Sequence, residues 1–364
     1  MNRSTQRKCK QWGIIAAAWL GVGLLMSCYD HLVLSTANSQ GPSPHYSFGL
    51  SLLFNLGSAL TGALLGGSFL VFFVNVRYQD KPYGYTILAV SLFFLAVIGL
   101  IAGVLCLIAV PLRTGRPVWD PESVGALTGF LLDSSRAKNL LAWSVVVAFT
   151  QLFLQVSSKF GLEAFGNVLS GKYNTPREED RIFMFLDLDA STAIAERLGN
   201  EKYHALLKDF FADITHPILD NQGEIYQYVG DEVVVAWKRE TGRENNRCVQ
   251  CFFDIKGRVE EKKEQYLRRY GVVPSFKAGI HCGKVVAGEV GILKRDITYS
   301  GDVLNTASRM LSLCKTFGAE VIASAELVTT LGAPGRYAAQ SLGSIQLKGK
   351  TNKVGLCALS PLAL

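Results

Sequence analysis

Hydrophobic positions fall into two regimes along the chain. In the first, apolar residues run almost unbroken through 12–34, 48–76, 85–112 and 140–158. A helix crosses a bilayer with about 20 such residues, so these runs predict an all-α domain of four transmembrane helices over 1–158. In the second regime apolar positions alternate or recur at helical spacing. Residues 182–186 read as a strand, and a helix opens near Ser191 with Ile194, Leu198, Leu206, Leu207, Phe210, Phe211 and Ile214 on one face. Strands at about 224–229 and 233–237 join across Gly230-Asp231-Glu232 as a hairpin. A helix over about 246–269, a strand over 275–281, a short hairpin arm over 284–288 and a helix over 304–314 follow. That order predicts an α+β, ferredoxin-like sandwich over 179–364. Between the regimes, 159–178 is amphipathic and then turn-rich, ending near Tyr173-Asn-Thr-Pro176, and reads as a coupling segment.

The first apolar run reads as retained, because it lacks a small-residue cleavage site and three more runs follow it. Arg3, Arg7, Lys8 and Lys10 precede it, whereas 36–47 holds no Lys or Arg, so the positive-inside rule places the N-terminus in the cytoplasm. Four spans return the second half to the same side. The expectation is a multi-pass protein of the plasma or inner membrane, with N-terminus and C-terminal domain cytoplasmic. The apolar piece 124–132 is too short to span and suits the outer interface. Gly57, Gly62, Gly66 and Gly67 in the second run suit close helix packing. Asp30 and His31, near the outer end of the first run, are either solvated at the interface or part of a ligand or proton site.

Composition sharpens the division. At 49% hydrophobic, 18% charged and a mean hydropathy of +0.22, the chain is too apolar for an ordinary soluble protein and is neither disordered nor collagen-like. Residues 1–139 hold 10 Lys/Arg against 5 Asp/Glu, and 140–364 hold 27 against 25, so most of the net +7 lies in the apolar half. A nucleic-acid-binding domain would concentrate it in the polar half, so no nucleic-acid partner is expected. The eight cysteines follow no disulfide spacing and read as reduced. Cys248 and Cys251 stand at i, i+3 in a helical pattern and read as buried helix positions.

Two carboxylates stand out by placement. Asp187 ends the apolar strand Ile182-Phe-Met-Phe-Leu186, and Asp231 sits at the tip of the hairpin that this topology lays beside it. Such a pair suits Mg²⁺, which takes oxygen ligands and shares them with substrate phosphates. The competing reading is a turn dipeptide at Gly230-Asp231 and a helix cap at Asp187. Asn305 and Arg309 stand four apart on one helix face, where an amide and a guanidinium can hold a sugar oxygen and a phosphate. Lys348-Gly-Lys350 offers ammonium groups to phosphate.

Together these segments resemble the class III nucleotide cyclases, the adenylate and guanylate cyclase catalytic domain. The resemblance covers about half the chain. It rests on Phe185-Leu-Asp187-Leu-Asp-Ala-Ser-Thr192, Val229-Gly-Asp231-Glu, Gly279-Ile-His-Cys-Gly-Lys-Val-Val-Ala-Gly288, Gly301-Asp-Val-Leu-Asn305-Thr-Ala-Ser-Arg309 and the terminal Lys-Gly-Lys. It implies that Asp187 and Asp231 hold two divalent metal ions (Mg²⁺ or Mn²⁺), with the Leu188 carbonyl as a further ligand. It also implies that Asn305 orients the ribose, Arg309 stabilises the reacting phosphate, and Lys348, with Lys294 as a second candidate, contacts the triphosphate. In this family the site forms between two catalytic domains, so a head-to-tail homodimer is expected.

The sequence departs from the family where the base is read. Gln227 stands where adenylate cyclases typically carry Lys and guanylate cyclases Glu, and its partner position is Thr298. An amide and a hydroxyl can serve either purine. The reading implied is a membrane adenylate cyclase that makes cyclic AMP from ATP and is regulated through its helices. The alternatives are a guanylate cyclase and a non-catalytic membrane receptor with a degenerate cyclase domain. A diguanylate cyclase is set aside, because Val229 precedes Gly230-Asp231-Glu232 where that family has Gly.

Overall fold

The computed structural model describes residues 3–37, 48–74, 77, 81, 82, 84–97, 120, 121, 124, 125, 134–160, 166–168, 170–293, 295–331 and 337–362. Its contacts divide the chain into two compact units, Thr5–Gly166 and Asn167–Leu364.

In the first unit α1 (Arg3–Ala37) contains the apolar stretch Lys8–Val33, and α2 (Phe48–Gly62) continues through two π-helical turns to complete the stretch Ser51–Val74. Both are long and apolar enough to cross a membrane. The described helix α3 (Gly84–Val97) and the apolar part of α4 (Ser134–Phe160), Leu141–Ser157, are shorter. The rest of the expected span 85–112, and nearly all of the 124–132 piece, lie outside the described residues. Two of the four glycines mark close approaches: a side chain at Gly66 would begin 2.6 Å from the Phe94 ring and one at Gly62 3.3 Å from Trp19, whereas one at Gly67 would meet Ile15 at an ordinary 3.6 Å. Two tryptophans of α1 bond within the unit, Trp19 Nε1 donating to Thr150 Oγ1 at 2.8 Å and Trp12 Nε1 to the Ala63 carbonyl at 2.9 Å. His31 packs its ring 5.0 Å from that of Phe48.

The second unit is built on an eight-stranded sheet: β1 (Arg177–Leu188), β2 (Glu224–Val229), β3 (Glu232–Lys238), β4 (Phe276–Val290), β5 (Asp296–Ser300), β6 (Val321–Ser324), β7 (Tyr337–Ile345) and β8 (Val354–Pro361). The strand order is β2-β3-β1-β4-β6-β8-β7, with β5 paired to the second half of β4. β1 is apolar in every central position because both sheet faces are covered. Ile182, Met184, Leu186 and Leu188 point into a core shared with α5 (Ser191–Leu198), α6 (Asn200–Asp220), α7 (Arg247–Glu261) and α8 (Lys263–Tyr270). Phe183 and Phe185 point to the opposite face, against Val303 and Ala307 of α9 (Asp302–Phe317). Cys248 and Cys251 are fully buried on α7, and the described cysteines are free thiols.

Three elements differ from the sequence pattern. The helix expected to run on from Ser191 is divided at Gly199, whose φ of +74° ends α5 before α6 begins. The helix expected over 246–269 divides at Lys262, which caps both α7 and α8. The strand 275–281 and the arm 284–288 are one strand, β4, since Gly283 at φ +157° is extended backbone.

Candidate active site

β1 and β3 run antiparallel with Asp187 opposite Glu232, so Asp231, one residue earlier at the hairpin turn, meets the end of β1. Gly230 makes that turn with φ +65°. The two aspartates are close enough to share a hydrogen bond: burial first, and then the charge of Asp231 and that bond, push the Asp187 carboxyl up to about 6. The neighbouring Asp189 takes its own counter-ion, Lys277 Nζ at 2.6 Å, and its N–H donates to the Ser275 carbonyl. The pair Asp187 and Asp231 is thereby left as the concentration of uncompensated carboxylate. Two residues beyond those expected from sequence stand beside it. Glu232 is raised to about 7 by burial and by the charges of Asp187 and Asp231. The Tyr203 hydroxyl, bonded to Ser191, is raised by burial and by Asp231. Glu232 was legible only as part of a turn, and nothing in the sequence singled out Tyr203.

Among the described residues no group of three or more His, Cys, Asp or Glu side chains is spaced to hold a metal. The donor set available is two carboxylates and the carbonyl of Leu188, whose own side chain is buried. That set fits a hard divalent cation: it is all oxygen, and two facing carboxylates lose their repulsion when a cation is shared.

The second cluster lies on α9 and the loop before β8. Asn305 is exposed and Arg309 half-buried, one turn apart. A side chain at Gly349 would begin 3.4 Å from Nη2 of Arg309, so the Lys348-Gly349-Lys350 loop packs directly on the guanidinium. Lys348 is exposed, while Lys350 binds Asp302 at 2.7 Å and lines a polar pocket of about 540 Å³ with His281 and Glu326. Lys294 lies outside the described residues. Asp187 feels the charges of Asp231 and Asp189, whereas Arg309 acts on Asp302. The carboxylate pair lies at the β1 and β3 ends and the cationic group on α9, on the opposite face of β1 from α5 to α8.

Gln227 is exposed on β2 and Thr298 half-exposed on β5, strands that do not pair with each other. Their predecessor and successor tie them together. A bulge between Ile225 and Gln227 leaves Tyr226 outside the ladder register, its ring 5.0 Å from that of Tyr299, and its hydroxyl accepts the Tyr299 N–H at 3.3 Å.

An eight-stranded sheet with paired aspartates at its β1 and β3 ends and an Asn-x-x-x-Arg helix across its other face defines a nucleotide cyclase domain. The family model described as the adenylate and guanylate cyclase catalytic domain matches residues 174–357, and the chain belongs to that family. The chain is 35% identical over 223 residues to Adenylate cyclase 2 of Rhizobium meliloti (strain 1021), covering 61% of each chain. It is 40% identical over 176 residues to a receptor-type guanylate cyclase of Caenorhabditis elegans, covering 48% of this chain and 16% of that one. A solved bacterial light-regulated adenylyl cyclase shares the fold, with a TM-score of 0.53 at 20% identity over 63% of this chain and 67% of the other. The chain thus spans about three fifths of the length of the rhizobial relative.

Proposed function

We propose that the chain is an integral membrane adenylate cyclase, converting ATP to 3′,5′-cyclic AMP and pyrophosphate at a site built between two head-to-tail copies. The observation that carries this reading is the Asp187 and Asp231 pair, half-buried side by side and with no ion-pair partner among the described residues, in a domain of the cyclase family. The similarity to the rhizobial adenylate cyclase supports ATP as the substrate.

Asp187, Asp231 and the Leu188 carbonyl would hold two divalent ions, Mg²⁺ or Mn²⁺. The chemistry such ions supply is activation of the ribose 3′-hydroxyl and neutralisation of the pyrophosphate leaving group. The ribose O3′ attacks the α-phosphorus, the bond from that phosphorus to the bridging oxygen breaks, and the hydroxyl proton passes to solvent. Arg309 meets the charge that develops on the α-phosphoryl oxygens, and its packing on Gly349 fixes the guanidinium before substrate arrives. Asn305, one turn earlier, orients the ribose, and Lys348, with Lys294, contacts the triphosphate. Gln227 and Thr298 face the base. Separation of the aspartates from Arg309 within one chain supports a site completed by a second copy.

The apolar stretches Lys8–Val33 and Ser51–Val74 support a membrane anchor, which we read as four helices over 1–158 with the N-terminus and the cyclase unit in the cytoplasm. The segment 159–178 joins the last helix to β1 and is the route of regulation. A guanylate cyclase is the second reading, favoured by the 40% identity to the nematode enzyme and by Gln227 in place of Lys.

The test is turnover of ATP and of GTP by the full-length protein with Mg²⁺ or Mn²⁺, products identified by mass, with Asp231→Ala as the blank. Cyclic AMP from ATP, absent in the variant, is the expected result. Cyclic GMP instead would replace the substrate, and no product with either metal would leave the receptor reading.

A further inference from the structure

Arg181 is a full cation buried to 2% exposure in the core of a catalytic domain, and the proposed chemistry does not use it. Its partners come from three directions. Its Nε donates to Glu179 Oε2 at 2.8 Å, its Nη1 to Glu224 Oε2 at 3.0 Å, and its guanidinium lies 5.2 Å from the centre of the Tyr299 ring. Burial works against its charge, and Glu224, Tyr299 and Glu179 more than offset that and hold the guanidinium cationic.

Each partner leads somewhere. Glu224 opens β2, three residues before Gln227, and Tyr299 directly follows Thr298 on β5. Tyr226 closes the triangle through its contact with Tyr299. Glu179 leads back to the chain entering the domain: the Tyr173 hydroxyl donates to Glu179 Oε1 at 3.1 Å, and Lys172 Nζ pairs with the same oxygen at 3.1 Å. The Tyr173 carbonyl also accepts the Glu289 N–H at 3.1 Å, next to Gly288, which is the register partner of Thr298. The entry segment therefore touches β5 from behind through β4, and touches both β2 and β5 through Arg181.

We propose that Arg181 is a positioning residue that sets the spacing of Gln227 and Thr298 and transmits to them the conformation of residues 172–176. The entry segment then regulates how tightly the nucleotide base is held. This rests on the reading of Gln227 and Thr298 as the base contacts.

Removing Arg181 itself would empty a buried volume and leave the half-buried Glu224 without its cation, and risks unfolding. The test uses milder variants of the full-length protein, Glu224→Gln and Lys172→Ala, alone and combined, with Gln227→Ala as the control for the base contact. The ATP KM, kcat and ATP-to-GTP preference are measured, and folding is checked by thermal melting. Each single variant is expected to raise KM by at least about threefold with kcat within about twofold, as expected for coupled neighbours. The double variant is expected to be no worse than the larger single effect, because both cut one connection. Unchanged KM in Glu224→Gln and Lys172→Ala while Gln227→Ala raises it would overturn the proposal and spare the base reading. Loss confined to kcat, or fully additive effects, would also overturn it. No effect of Gln227→Ala on KM or base preference would remove the base reading, and this inference with it.

Discussion

A single missing methyl group decides how α9 sits on the sheet. At Gly279 of β4 a Cβ would overlap the Ala307 carbonyl oxygen and stand 2.5 Å from the Leu311 nitrogen, both backbone atoms of α9. Neither can rotate away, as the end of a side chain would. Gly279→Ala must therefore lift the helix that carries Asn305 and Arg309, at a cost of about 1–3 kcal/mol in stability. If Asn305 and Arg309 hold the substrate as proposed, their displacement should lower turnover by about tenfold or more. Urea unfolding and steady-state kinetics check both, and a variant as stable and active as the wild type would show that α9 does not press on β4 there. The residue was visible in the sequence as the start of Gly279-Ile-His-Cys-Gly, but nothing local to it says that glycine is demanded by a helix 28 residues further on, at Ala307.

At the scale of elements, the sequence carried the parts with strong period. β1, the β2–β3 hairpin and α9 are all where alternation and turn chemistry predict them, and so Asp187, Asp231, Asn305 and Arg309 could be placed on strand ends and one helix face. β6, β7 and β8 were not legible as a set, since their pairing is with strands distant in sequence, and β4 looked like two pieces because a glycine in extended conformation reads as a break. Arg181 was passed over for the same reason: its meaning depends on Glu224 and Tyr299, each far along the chain. The junction of β4 and β6 also holds a pH-sensitive contact. His281 on β4 bonds through Nδ1 to Ser324 Oγ at 2.8 Å, and Ser324 caps α10 (Ala325–Thr330) by accepting the Leu327 N–H. Burial, then the positive charge of Lys350 and of Arg239, outweigh Asp302 and lower the His281 pKa to about 4. Between that value and about 6.5 the unfolded chain binds the proton and the folded one does not, so stability rises with pH through this window and levels off above it. The shift corresponds to on the order of 3 kcal/mol. Hydrogen exchange at β4 and β6 should show protection falling from pH 7 to pH 4.5, with the dependence flattened in His281→Gln. An unchanged slope in that variant would assign the effect to other groups.

For the whole molecule the decisive question is how many chains make one site. Asp187 and Asp231 stand at the sheet ends of β1 and β3, whereas Arg309 lies on α9 against Gly349 and within the field of Asp302. A head-to-tail dimer would supply each site with aspartates from one copy and Asn305 and Arg309 from the other, giving two equivalent sites. This arrangement makes a quantitative forecast. Asp231→Ala and Arg309→Ala homodimers should each be inactive, since both of their sites carry a lesion. Co-expressed in equal amounts, half of the randomly formed dimers are mixed; in a mixed dimer one site collects both lesions and the other collects none. Activity per chain should therefore return to about one quarter of wild type. Differently tagged copies purified in sequence would isolate the mixed dimer, where recovery should approach about one half. No recovery in a mixed dimer that demonstrably forms would mean that each chain builds its own site, and α9 would then have to reach the β1 and β3 ends by a movement the fold does not display. Recovery would show instead that the site is shared between copies, so that anything which changes the pairing of two cyclase units changes the number of complete sites.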